Sequence, residues 1–214
     1  MQGRLIALLL AALVAATAGT AGAAGGKQRV YTLDRNEWFW ASGSRLSCGA
    51  FVPKEGPGKG RMSFECAMYL RSGWPKPRTY GALIGAWGVA AIRYDATGHG
   101  HSVAKTFRNP FSTDLQGGVG ERAGHAGRDP DVRLRPGDGA FLGSTDVACR
   151  ARLSNAPGEE GVPLVACSRW QPVQAGWKCC LDRTYMVEAT RLGVFVYREE
   201  GGDSSFVQGF DNPR

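Results

Sequence analysis

The chain has 214 residues, of which 43% are hydrophobic, 10% aromatic and 21% charged. This apolar content is enough for a folded core and excludes a disordered or low-complexity chain, and the length fits one or two small domains. Lys and Arg outnumber Asp and Glu by 26 to 19, for a formal charge of +7. The composition identifies no reaction, and the sequence is more informative about compartment, architecture and charge distribution than about chemistry.

Residues 1–24 have the pattern of a secretory signal peptide. Arg4 precedes an apolar run over residues 5–16, and small residues matching an A-x-A cleavage pattern follow at 21–23. The apolar run is shorter than the roughly 20 residues of a spanning helix, so a signal peptide is favoured over a membrane anchor. No later segment is long and apolar enough to span a bilayer. The sequence predicts a secreted or periplasmic protein without a membrane span in its mature chain.

Residues 27–111 are predicted to form the first of two related β-rich domains. Hydrophobic side chains alternate over residues 61–70, which places them on one face of a strand. No convincing amphipathic helix follows the signal peptide, because the nearest candidate, residues 82–92, is weakened by Gly85 and Gly88. The expected fold class is therefore all-β or β-dominated.

The most distinctive segment of this domain alternates aromatic and basic residues with prolines. Trp74, Lys76, Arg78 and Tyr80 would point to one side of an extended chain. Aromatic faces beside cationic groups suit anionic sugars or single-stranded nucleic acid, although no nucleic-acid fold signature is present. These four residues are the predicted binding residues. The alternative is an exposed edge strand or loop whose tryptophan covers the core.

Two of the three histidines, His99 and His101, offer the main candidate chemistry. On a strand they would share a face, and they suit two metal ligands or a base with an orienting partner. A closed zinc site needs more ligands, and the sequence has no His-Glu-x-x-His, paired Cys-x-x-Cys, nucleophile elbow or phosphate loop. His125 lies in the linker and is a poor third ligand. Turn or surface histidines are the favoured interpretation, and no catalytic residue or cofactor is predicted.

Residues 112–138 are predicted to be a linker, and residues 139–214 a second β-rich domain. The linker is rich in glycine and has few large apolar residues, so it cannot bury enough surface to offset its ordering entropy. Residues 40–48 and 141–149 share a pattern from an aromatic residue to a cysteine at an offset of 101. This agreement predicts a tandem duplication. Further along, the comparison places Asp95-Ala-Thr over Glu188-Ala-Thr.

All six cysteines lie in the predicted mature chain, and an even number in an exported protein favours disulfides. Cys48 and Cys66 are 18 residues apart, as are Cys149 and Cys167. The expected bridges are Cys48–Cys66 and Cys149–Cys167, each joining neighbouring strands. The remaining pair, Cys179 and Cys180, has no counterpart in the first domain and is left unassigned. A structural embellishment is favoured for it, with a redox or metal role as the alternative.

Charge is distributed unequally between the two predicted domains. Residues 25–110 hold 13 Lys or Arg and five Asp or Glu, whereas residues 111–214 hold 12 and 14. An asymmetry of this size indicates that the first domain meets an anionic partner. The alternative is that duplicated domains drifted in charge without consequence.

Three runs, Phe39–Cys48, Met62–Cys66 and Gly88–Val103, carry a resemblance to known proteins. Over residues 39–105 the chain resembles a family of small exported bacterial domains of unknown function. Their pattern is an aromatic-led Ser-Gly-Asn-Ile-x-Cys, a second cysteine and a closing Gly-His-Gly. This chain has Arg-Leu for Asn-Ile and lacks a cysteine before Gly-His-Gly. The resemblance implies export and small disulfide-tied domains, and it carries no catalytic residues.

These observations favour an exported, non-catalytic binding or structural protein. Its first domain would bind an anionic partner, which is a polysaccharide, a nucleic acid or an acidic protein. One alternative is a secreted, metal-assisted hydrolase that uses His99 and His101. Another is a disulfide-stabilised inhibitor or toxin-like protein.

Overall fold

The computed structural model describes residues 28–111, 132–156, 159–173 and 176–213. The predicted signal peptide and most of the predicted linker, including His125, lie outside these residues. All the regular secondary structure in the described ranges is β-strand, which confirms the predicted all-β class. No helix in this part of the chain is long and apolar enough to cross a membrane.

Fifteen strands are described, and they form two sheets. The first eight are β1 (Val30–Leu33), β2 (Trp38–Ala41), β3 (Leu46–Phe51), β4 (Ser63–Met68), β5 (Tyr80–Gly85), β6 (Gly88–Tyr94), β7 (His101–Arg108) and β8 (Arg133–Leu134). The others are β9 (Gly139–Leu142), β10 (Val147–Leu153), β11 (Pro163–Val173), β12 (Gly176–Cys179), β13 (Tyr185–Thr190), β14 (Gly193–Glu200) and β15 (Asp203–Asp211). The helix candidate at 82–92 is therefore the β5–β6 hairpin, and the end of the predicted linker contains β8.

Each sheet is an antiparallel meander that gains one strand from the other half of the chain. The seven-stranded sheet runs β7-β6-β5-β4-β3-β2-β8, and the eight-stranded sheet runs β1-β9-β10-β11-β13-β14-β15 with β12 beside β11. β1 comes from the first half of the chain, residues 28–111, yet it pairs in parallel with β9. β8 comes from the second half, residues 132–213, yet it pairs in parallel with β2. This exchange ties the two sheets together.

The inner faces of the two sheets share one hydrophobic core. Alternation along the strands directs Phe39 and Phe64 of one sheet and Val187 of the other into the same cluster. The exchanged strands each place a fully buried leucine there, Leu33 from β1 and Leu134 from β8. Burial of a leucine side chain contributes about 2 kcal/mol, so the exchange stabilises both sheets.

Two disulfides lie at the centre of this core, and they are the two predicted pairs. Cys48–Cys66 joins β3 to β4, and Cys149–Cys167 joins β10 to β11 at directly opposed positions. All four residues are at most 1% exposed. The Cys66 and Cys167 Sγ atoms are 3.7 Å apart. The bridges therefore contact each other across the interface between the sheets.

Two buried asparagines make reciprocal hydrogen bonds between the sheets. Asn109 follows β7, and its Oδ1 accepts the backbone N–H of Tyr185 at 2.8 Å. Asn212 follows β15, and its Oδ1 accepts the backbone N–H of Tyr80 at 2.6 Å. Each asparagine thus holds the first residue of a strand in the opposite sheet.

Candidate functional site

The predicted binding segment forms one wall of a cleft at the end of the seven-stranded sheet. Residues 74–76 fold back antiparallel on the end of β4, because the N–H of Leu70 donates to the Trp74 carbonyl and the N–H of Lys76 donates to the Met68 carbonyl, both at 2.7 Å. The chain then turns at Arg78, whose φ is 58°. The side chains of Trp74, Lys76 and Arg78 are exposed.

This turn ends the alternation that was predicted for a fully extended segment. Tyr80 begins β5 after the turn, and its ring packs against Phe210, with ring centroids 5.5 Å apart. The Tyr80 side chain is partly buried against the core between the sheets. The expectation that Trp74, Lys76, Arg78 and Tyr80 all point to one side is therefore wrong, because the left-handed backbone at Arg78 redirects the chain.

The opposite wall is the turn between β6 and β7, residues 95–100, which Asp95 organises. Asp95 Oδ1 accepts the Thr97 hydroxyl and the N–H groups of Thr97 and Gly98 at 2.7 to 2.8 Å, and Oδ2 accepts the Gly100 N–H at 3.1 Å. These hydrogen bonds, with the Thr97 hydroxyl foremost, hold the pKa of Asp95 below its ordinary value. The four hydrogen bonds that Asp95 accepts therefore stabilise the turn.

The two walls contact each other. The rings of Trp74 and His99 have centroids 4.1 Å apart and planes tilted by 52°. Gly98 has a φ of +77°, and a Cβ there would lie 2.4 Å from the Pro75 carbonyl oxygen, so only glycine allows this approach. The structure thus brings together the predicted binding tryptophan and one predicted histidine, which are far apart in the sequence.

We call the concavity beside these walls the loop cleft; of the predicted binding segment only Arg78 lines it, and neither Trp74 nor His99 does. It has a volume of about 420 Å³ and is lined by Arg78, Arg93, Tyr94, Asp95, Ala96, Gly100, His101 and Ser102. The His101 ring lies 5.9 Å from the Tyr94 ring. Both arginines are exposed, whereas the one lining carboxylate is already occupied by hydrogen bonds of its own turn. The exposed donors of the loop cleft therefore include two guanidinium groups.

Tyr94 forms a buried floor beside these exposed side chains. It is 3% exposed, and its hydroxyl donates a hydrogen bond to the Glu65 carboxylate. Burial, and then the negative charge of Glu65, raise the pKa of Tyr94 well above its ordinary value. The tyrosine therefore stays neutral, whereas the arginines around it face solvent.

Among the described residues, no third potential ligand lies close to both His99 and His101. In the described part of the chain, only Cys48, Cys66, Cys149 and Cys167 place three or more potential ligand atoms close together. These four thiols are paired in disulfides. The His99 ring contacts Trp74 at a tilt and the His101 ring contacts Tyr94 edge-on, so both rings pack against aromatic neighbours.

A second concavity, which the sequence did not indicate, lies on the outer face of the eight-stranded sheet. We call it the sheet groove. Its volume is about 520 Å³, and its lining includes Arg150, Arg152, Ser168, Trp170, Lys178, Cys179, Cys180, Asp182, Met186 and Glu199. Cys179 and Cys180, unassigned from the sequence, form a disulfide across a cis peptide bond. Both of their Sγ atoms lie 3.3 Å from the Ser168 hydroxyl oxygen.

Matching hydrogen bonds show where this disulfide stands relative to the loop cleft. The Lys76 N–H donates to the carbonyl of Met68, the last residue of β4, and the Lys76 carbonyl accepts the Thr79 hydroxyl. In the same way, the Leu181 N–H donates to the Arg169 carbonyl in β11, and the Leu181 carbonyl accepts the Thr184 hydroxyl. The two residues before Leu181 are the disulfide pair, and the two before Lys76 are Trp74 and Pro75. The pair therefore has a positional counterpart, which the sequence comparison missed because the loop lengths differ.

The same bonds change the sequence alignment beyond β5. The Tyr94 N–H donates to the Thr79 carbonyl at 3.0 Å, and the Glu199 N–H donates to the Thr184 carbonyl at 3.0 Å. Tyr94 thus matches Glu199, so the alignment of Asp95-Ala-Thr with Glu188-Ala-Thr is wrong. The counterpart of the His99 turn is the short turn at Gly201 and Gly202.

Comparison of the chain with family models, with curated proteins and with solved structures gave no match. The resemblance of residues 39–105 to small exported bacterial domains therefore stays a prediction.

Proposed function

We propose that this chain is an exported, non-catalytic binding protein whose loop cleft binds an anionic polysaccharide. The observation that carries the proposal is the contact of Trp74 with His99 beside Arg78 and Arg93. The exposed ring of Trp74 offers a flat face for a sugar ring, and guanidinium groups offer paired donors to carboxylate or sulfate groups. Nucleic acid and acidic protein are the other anionic partners that the charge layout allows.

The charges of the cleft support an anionic partner over a neutral one. Lys76, Arg78 and Arg93 are exposed and have no ion-pair partner among the described residues. The one carboxylate that lines the loop cleft, Asp95, accepts four hydrogen bonds from its own turn. A bound anion would therefore meet cationic donors that the protein itself does not use.

Export and duplication are further parts of this proposal. The signal-peptide pattern of residues 1–24 supports export, and the pairing of all six cysteines in disulfides agrees with an oxidising compartment. The reciprocal bonds of Asn109 and Asn212 support a tandem duplication, because each half supplies the same residue at the same place. The exchanged strands β1 and β8 would then be the same element in two copies.

Heparin affinity chromatography of the full chain tests the binding proposal. The double variant Trp74→Ala/Arg78→Ala is expected to elute at a clearly lower salt concentration than the wild type, because it loses one aromatic face and one cation. The matched control is Trp38→Ala/Arg35→Ala, which removes a 39% exposed tryptophan and an exposed arginine outside the cleft. Elution of both double variants at the same salt concentration would contradict the assignment of the loop cleft.

A further inference from the structure

The sheet groove holds an arginine that is positioned without an ion pair. The Arg150 guanidinium carbon lies 4.3 Å from the centroid of the Trp170 ring, within stacking distance. Among the described residues, no carboxylate forms an ion pair with Arg150, and no hydrogen bond occupies its N–H groups. Trp170 is itself 7% exposed and packed against Phe141. The guanidinium is therefore held by a rigid surface and keeps its donors free.

A second arginine stands two residues along the same strand. Arg152 also lines the groove, because alternate residues of a strand lie on the same face of the sheet. Burial, and then the charge of Arg152, lower the pKa of Arg150. The half-buried charge of Arg150 lies near the exposed charge of Arg152, and an anion bound between them would reduce their repulsion.

The negative groups of the groove are already engaged within the fold. Asp182 Oδ1 accepts the Gly201 N–H at 2.8 Å, and the Glu199 carboxylate accepts the Ser204 hydroxyl. Burial raises the pKa of Glu188, a neighbouring outer-face residue, and the hydrogen bond from Tyr197, followed by the Arg152 charge, offsets part of that rise. The arginines therefore offer donors that the protein leaves open, whereas the carboxylates that line the groove have donors of their own.

The rest of the lining is apolar or weakly polar. Met186, Ala166 and the Cys179–Cys180 disulfide line the same groove, and sulfur-rich surfaces make favourable contacts with aromatic rings. A volume of about 520 Å³ falls in the usual range of small-molecule sites. The groove thus combines two arginine side chains with an apolar surface that suits a planar ring.

We infer that the sheet groove binds a small organic oxyanion. Its carboxylate, phosphate or sulfate group takes the paired N–H donors of Arg150 with Arg152 nearby, and its flat apolar body lies toward Met186 and the Cys179–Cys180 disulfide. This site is separate from the loop cleft, and its ligand is a small molecule rather than a polymer.

Isothermal titration calorimetry of the full chain at low salt tests the inference. The probes are phenyl phosphate, benzoate and inorganic phosphate. At least one aromatic probe is expected to bind, and phenyl phosphate is expected to bind more tightly than inorganic phosphate because only the former has an apolar body. Comparison of phenyl phosphate with benzoate identifies the preferred acidic group. Absence of heat from every probe, or equal affinity for phenyl phosphate and inorganic phosphate, would overturn the inference.

Variants locate the binding. Arg150→Met keeps the length of the side chain and removes its donors, so the Kd is expected to rise about tenfold or more, the usual effect of losing a hydrogen bond to a charged group. Arg150→Lys keeps the charge without the planar fork and should also weaken binding. Arg191→Met, an exposed arginine of the same half outside the groove, is the control and should leave the Kd unchanged. A Kd of Arg150→Lys equal to that of the wild type would contradict the role of the guanidinium.

Discussion

Gly98 offers the sharpest test of how the loop cleft is built, because two separate effects forbid a side chain there. Its φ of +77° lies in the left-handed region, and a Cβ would lie 2.4 Å from the Pro75 carbonyl oxygen. Gly73 has a similar φ of +83° but open space around its Cβ position. The Gly98→Ala variant therefore suffers both backbone strain and a collision, whereas Gly73→Ala suffers strain alone.

The expected magnitudes follow from these two effects. The left-handed backbone costs an L-residue about 1–2 kcal/mol, which applies to both variants. The collision adds about 1–3 kcal/mol in Gly98→Ala, as for other overpacked positions. At about 2–4 °C per kcal/mol for a chain of this size, Gly98→Ala should melt several degrees below Gly73→Ala.

Thermal unfolding and heparin retention measure the two consequences together. Gly98→Ala is expected to lower both the melting temperature and the salt concentration of elution, because separating the walls removes the contact of Trp74 with His99. Gly73→Ala is expected to have a higher melting temperature than Gly98→Ala and to elute at a higher salt concentration. If the two variants melt and elute alike, the turn at 95–100 does not press against Pro75 and the cleft is not formed as described.

Three further predictions concern stability. Asp146→Ala should cost about 3–5 kcal/mol in the free energy of unfolding, measured by urea titration, because Arg169 pairs with Asp146 at 2.8 Å where both are at most 1% exposed; a loss below 1 kcal/mol would contradict a buried pair. The double variant Cys48→Ser/Cys66→Ser should lose about 2–4 kcal/mol in the same titration, and non-reducing peptide mapping of the wild type should recover the Cys48–Cys66 link. The folded-state pKa of Asp95 is lowered from 3.8, so its ionised form stabilises the fold above that pH, and the effect is lost as the pH falls through the folded value. Thermal melts below pH 4 should therefore show a larger decrease for the wild type than for Asp95→Asn, and equal decreases would count against the turn geometry.

Local sequence patterns predicted the strands and the central disulfides well. Alternation over residues 61–70 depends only on neighbouring side chains, and it correctly indicated β4. The equal spacing of Cys48–Cys66 and Cys149–Cys167 reflects two directly opposed pairs, one in each sheet. Such features are visible in sequence because they arise within one hairpin.

Features that depend on distant contacts were not visible. The exchange of β1 and β8 is determined by packing of Leu33 and Leu134 in a common core, and no local pattern reports it. Arg78 was expected in an extended segment, but the turn that it forms is fixed by a hydrogen bond from its N–H to the Asp95 carbonyl at 3.0 Å. The sheet groove was missed because Arg150, Trp170 and Cys179 come from three different strands. Its only sequence signal was the unassigned cysteine pair.

The salt dependence of heparin binding tests the central claim most directly. The dissociation constant of the full chain is measured across a series of salt concentrations, and the slope of log K against log salt counts the anionic contacts. Arg78→Ala is expected to reduce this slope by about one, whereas Arg35→Ala is expected to leave it unchanged. A wild type whose binding does not respond to salt, or an Arg78→Ala variant with the wild-type slope, would contradict an anion-binding loop cleft.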